Sequence, residues 1–157
     1  MIITESQLRR IIREELVRVN GAQPNKLLRE QQIVRPEPAD VMGFKSKEDV
    51  QAYINNIDSM LAPGGIYDAN FEWAPGRKIG ENSVTRVAFK NLKTVLENAL
   101  RGINTGSYQP TQAMKNWKMT KNDSAVSKIT PEEFDKVIKF LEVVLWKATT
   151  NQPVFNF

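Results

Sequence analysis

The sequence predicts a mainly α-helical protein, a small helical bundle with an N-terminal amphipathic helical arm on a linker and an extended C-terminal tail. Two observations carry that expectation. Runs near 47–61, 83–102 and 130–149 repeat apolar residues at three- and four-residue steps, the period of a half-buried helix. Helix starts are also written in capping chemistry, at Thr4 with Gln7, Ser46 with Asp49, and Thr130 with Glu133. A length of 157 residues suits a single core, and an apolar fraction of 41% with 25% charged residues is ordinary for a globular chain.

Residues 1–20 read as the N-terminal amphipathic helix. Thr4 and Gln7 have capping-box spacing, and Ile3 and Leu8 occupy the two positions of a hydrophobic staple. Leu8, Ile11, Ile12, Leu16 and Val19 line the apolar side, with Arg9, Arg10, Arg13 and Glu14 on the other. Residues 21–41 follow as a linker in which three prolines, a glycine and several Gln and Asn favour extended backbone, with one turn at 26–32. Pro36 and Pro38 favour polyproline-like backbone around Glu37.

The globular domain is expected over 42–150. Its first helix, near 47–61, carries Val50, Tyr53, Ile54, Ile57 and Leu61 on one stripe and stops at Ala62-Pro63-Gly64-Gly65. A loop over 66–80 is rich in aromatic and turn residues and has room for a short hairpin. The next helix runs from about Ser83 to Gly102, burying Val84, Val87, Ala88, Leu92, Val95, Leu96, Ala99, Leu100 and Ile103. Its other side is a ridge of Arg86, Lys90, Lys93, Glu97 and Arg101. Residues 105–128 are polar, with a short helix around Thr111–Met119. The last helix opens at Thr130, with Pro131 in its first turn, and buries Phe134, Val137, Ile138, Leu141, Val144, Leu145 and Ala148. Residues 151–157 form the tail, ending in Phe155 and Phe157.

Composition narrows the chemistry. Cysteine and histidine are both absent, which removes disulfides, thiolate nucleophiles, Ser-His-Asp arrangements and the usual zinc ligands. No catalytic, cofactor-binding or metal-binding set is expected, and no small-molecule substrate is implied. The chain reads as a binding or structural protein rather than an enzyme. The nearest thing to an enzyme site is the loop with Asp68 and Glu72, two carboxylates among aromatics, the residue types a glycosidase uses. No run of apolar residues is long enough to span a membrane, and no secretory signal opens the chain.

Charge divides along the sequence. Residues 37–75 hold seven acids against Lys45 and Lys47, a net of −5, whereas residues 77–128 hold ten bases against three acids, a net of +7. Complementary halves suit association with copies of the chain or with another protein. The basic half also makes nucleic acid a possible partner, with Arg86, Lys90, Lys93, Lys115 and Lys118 as contacts and Tyr108 and Trp117 interleaved among the bases.

The segment Ile3-Thr-Glu-Ser-Gln-Leu-Arg-Arg-Ile-Ile-Arg-Glu-Glu-Leu16 resembles one that opens many proteins of large tailed bacteriophages, particularly marine ones. It covers about a tenth of the chain. The resemblance implies a virion structural or head-associated protein, assembled in the host cytoplasm, with other phage structural proteins or copies of itself as partners. It also implies processing after Leu or Ile, any residue, then Glu, a pattern present at Ile12-Arg13-Glu14 and Leu28-Arg29-Glu30. In that reading Leu8, Ile11, Ile12, Leu16 and Val19 of the arm, with Phe155 and Phe157 of the tail, make the partner contacts. The alternative is a nucleic-acid-associated or host-directed regulatory phage protein using the basic half.

Overall fold

A computed structural model of the chain describes residues 35–104 and 108–157. The arm expected at 1–20 and most of the linker lie outside the described residues. So do Leu8, Ile11, Ile12, Leu16, Val19 and both processing sites, Glu14 and Glu30. One compact unit spans Pro36–Phe157 and is mainly helical. Its elements are α1 (Pro38–Met42), α2 (Lys47–Leu61), β1 (Glu72–Ala74), β2 (Arg77–Lys78), α3 (Val84–Leu100), α4 (Tyr108–Thr120) and α5 (Pro131–Thr149).

Three of the helix starts are capped by side chains. The Ser46 hydroxyl accepts from the Asp49 amide, the Ser83 hydroxyl from Arg86, and the Thr130 hydroxyl from Glu133, satisfying N–H groups that the first turn leaves without partners. Pro38 and Pro131 sit in the first turns of α1 and α5, where the missing N–H is no loss. Glu37 has the polyproline-like backbone expected of it, at φ −64° and ψ 145°. The chain then turns into a helix, although residues up to 41 read as linker. Pro38 is buried, and Ala39, Val41 and Met42 pack against the core, so the gain in apolar burial outweighs the local preference for extension.

Helix α2 packs on α3, α3 on α4, α4 on α5, and α1 lies along α5. Phe44, just beyond α1, meets Tyr53 of α2 edge-on at 5.7 Å and Phe140 of α5 at 6.4 Å, bridging the two ends of this series. The centre is filled by Val50, Ile54, Ile57, Phe89, Leu92, Leu96, Trp117, Val137, Phe140, Leu141 and Val144. Phe89 and Phe140 were missing from the expected stripes, and Ile103, expected inside, is exposed. Helix α4 is longer than the expected Thr111–Met119 and inserts Trp117 fully into the core, with its ring 5.1 Å from Phe89. Trp117 is therefore packing, not a base-stacking surface.

Between α2 and α3 the chain makes a compact loop closed by the antiparallel pair β1–β2, with Pro75-Gly76 at its turn. Gly65 has no substitute there, because a Cβ at this position would collide with the carbonyl oxygens of Ser59 and Met60. That close approach lets the Tyr67 amide donate to the Met60 carbonyl at 2.9 Å and turns the Tyr67 ring into the core.

Candidate functional site

Arg86 is the centre of the best-defined polar cluster. It sits in the first turn of α3, only 5% exposed, and its Nη1 donates to the carbonyls of Leu61, at 2.9 Å, and Tyr67. Its Nη2 donates to the Glu81 carboxylate at 3.1 Å, and Lys90 pairs with the same carboxylate at 3.0 Å. Hydrogen bonds from Lys90 and then Arg86 hold the Glu81 carboxyl below the usual carboxylate range. This arrangement ties the end of α2, the loop and α3 together. The expected phosphate contact at Arg86 is thus corrected: the loop covers the first turn of α3 and directs the guanidinium to backbone carbonyls.

The next residues of the ridge are also engaged. Lys93 donates to both oxygens of Asp58 on α2, at 2.5 and 2.7 Å, and lies 3.8 Å from Glu97. The Asp58 bond raises the Lys93 ammonium above its ordinary value. Asp58, Leu61, Lys90, Lys93 and Glu97 line a shallow groove between α2 and α3, where charges of both signs already meet each other. Arg101 donates to the Glu97 carbonyl and the Asn98 side chain.

Asp68 and Glu72, the two carboxylates with glycosidase-like residue types, each serve their own turn. Asp68 accepts from the amides of Gly64, at 2.8 Å, and Asn70, at 2.9 Å, which lowers its proton affinity. Glu72 accepts from the Gly76 amide at the hairpin turn. The two carboxylates thus brace separate turns of the loop. Among the described residues no group of three or more His, Cys, Asp or Glu could hold a metal ion, and no helix is long and apolar enough to cross a membrane.

The acidic half is partly engaged within the body. Of its seven carboxylates, Glu37 pairs with Lys147, Asp49 accepts from the Lys45 amide, Asp58 holds Lys93, and Asp68 and Glu72 cap turns. The basic half is reduced by the Arg86, Lys90 and Lys93 pairs, while Arg77 stands over Trp73 and Lys128 over Phe71. Lys115 and Lys118 remain exposed on α4, with Lys121 in the turn after it, and form no ion pair among the described residues.

At the chain's end, Val154 is buried, and Phe155 packs against the core, edge-on to Phe44 at 6.1 Å and stacked with Phe140 at 6.4 Å. Phe157 stacks on Phe155 and stays partly exposed. Phe155, expected to reach a neighbour, instead spends its faces within its own body.

The Glu37–Lys147 pair joins residues 110 positions apart and lies outside the sequence-based expectations. A signal existed: Phe140, Val144 and Lys147 follow at helical steps, placing a lysine on the apolar stripe of α5. Buried ammonium groups need a partner, and Glu37, fixed by Pro38, supplies it.

Comparison with protein-family models, curated proteins and solved structures found no match to this chain. Its class is given by its own geometry, a small mainly helical bundle with a two-stranded hairpin.

Proposed function

We propose that this chain is a non-enzymatic bacteriophage protein, a virion structural or head-associated component that works by binding its neighbours. The observation that carries this reading is the sequence of segment 3–16, with capping-box and staple spacing, an amphipathic pattern and a resemblance to openings of tailed-phage proteins. Its expected partners are other phage structural proteins or copies of the chain. Leu8, Ile11 and Ile12 are its central contacts, with Leu16 and Val19 extending them.

The start of the body is fixed, with Pro38 buried and Glu37 paired to Lys147. In the tail, Phe157 keeps an exposed face for a neighbour while Phe155 secures the tail to the body.

Intact mass measurement of the chain from purified phage particles, beside the chain expressed alone, tests the proposal. Full-length chain in stoichiometric amounts identifies a permanent component that keeps its arm. A chain beginning at Glu15 or Gln31 identifies a head-targeted component matured by cleavage. Absence from particles refutes the virion assignment. Leu8→Ala with Ile12→Ala is expected to reduce incorporation at least tenfold, and unchanged incorporation would remove the arm from the mechanism.

A further inference from the structure

We propose that the outward side of α4, with Lys115, Lys118 and the adjoining Lys121, is a contact surface for the sugar-phosphate backbone of nucleic acid. This inference does not depend on the arm or on the virion assignment.

Residues 108–122 contain no Asp or Glu. Asp123, the nearest acid in sequence, is turned inward: its carboxylate accepts from the Thr85 hydroxyl at 2.8 Å, the Thr85 amide at 3.1 Å and the Ala125 amide at 3.1 Å. The three lysines follow at three-residue steps. At a helical rise of about 1.5 Å per residue, their backbone positions span about 9 Å. Duplex DNA carries one charge per about 1.7 Å of axis, so several phosphates fall within that span. Tyr108, 69% exposed at the other end of α4, supplies an aromatic face on which an unpaired base can stack.

Two competing occupants fit less well. A second copy would have to offer an acidic surface, and the exposed acids that neither pair nor cap among the described residues, Asp40, Glu48, Glu132, Asp135 and Glu142, are divided among α1, α2 and α5. An anionic membrane favours a broad apolar stripe beside its lysines, whereas α4 exposes Met119 and Tyr108 among polar residues. The surface also differs from the ridge on α3, where Lys90 and Lys93 already hold carboxylates.

Fluorescence anisotropy of the full chain with labelled single- and double-stranded DNA of about 30 residues, across a salt series, tests the surface. Binding is expected to weaken with salt. Lys115→Gln/Lys118→Gln/Lys121→Gln should raise Kd at least tenfold and make the log–log salt slope shallower by about 2 to 3. The same three positions changed to Arg should keep binding. Lys47→Gln/Lys136→Gln/Lys139→Gln, which removes equal charge from exposed sites elsewhere, should leave Kd within about twofold. The proposal is overturned by no salt-sensitive binding, or by equal losses in the two glutamine variants. It is also overturned if Arg9→Gln/Arg10→Gln/Arg13→Gln abolishes binding while the α4 glutamine variant retains it. Binding to phosphatidylserine vesicles without binding DNA, or salt-sensitive self-association without it, would reassign the surface.

Discussion

Arg86 shows how much one side chain's role depends on what covers it. The guanidinium supplies donors in a planar fork, which can serve two carbonyls and a carboxylate together. Arg86→Met should destabilise the fold by about 3 kcal/mol, since the Leu61 and Tyr67 carbonyls lose their donor in a covered site. Urea unfolding measures this, and Arg86→Lys should recover only part of the loss. Tyr53 presents the opposite case. Its hydroxyl is buried with no hydrogen-bond partner among the described residues, and burial, then the nearby Glu133 charge, pushes its ionisation far above the ordinary value. Removing a buried, unsatisfied hydroxyl restores no lost bond, so Tyr53→Phe should be neutral or stabilise by up to about 1 kcal/mol. Destabilisation by more than that in the same assay would reveal a hydrogen bond at this hydroxyl.

Among the elements, the helices were the most legible. Ser46 and Thr130 cap through local chemistry that needs no distant partner, so α2 and α5 begin where the spacing put them. The tail was less legible, because its fate depends on a groove built by residues far away in sequence. Val154 enters the core, and Phe155 fits between Phe44 and Phe140. Deleting residues 153–157 should therefore lower stability by about 2–4 kcal/mol, from the loss of one buried valine and one half-buried phenylalanine. A deletion that leaves the urea midpoint unchanged would mean the tail adds nothing to the body. Helix α1 is illegible for the same reason: five residues carry too little periodicity to announce a helix, and burial against α5 supplies what the local sequence lacks.

Among the described residues, part of the charge is organised in local pairs, Glu81 with Arg86 and Lys90, Asp58 with Lys93, and Glu37 with Lys147. Glu81 and Asp68 lose protons more readily in the fold than in an open chain, so their contributions are present above the unfolded values, about 4.5 and 3.8, and vanish as pH falls through the lowered ones. Stability should accordingly decline from about pH 5 towards pH 2, and Glu81→Gln should flatten that decline while costing stability near neutrality. Chemical denaturation across this range checks both. Lys93 acts at the other end: raised by Asp58, it contributes below its ordinary value of 10.5 and is lost as pH rises through the higher one.

Sequence by itself determined the mainly helical class, the main capped starts, most of the buried stripes and the absence of histidine and cysteine chemistry. Each of these follows from contacts within a few residues or from composition. Tertiary structure alone decided that Arg86 is covered while Lys90, one turn along the same ridge, is exposed. It also decided that Lys147 meets Glu37 and that five of the seven carboxylates of the acidic half find hydrogen-bond partners within the body. Helical periodicity sets the direction in which a side chain leaves its helix. Whether it then meets water, a carbonyl or a carboxylate depends on segments that only folding brings alongside.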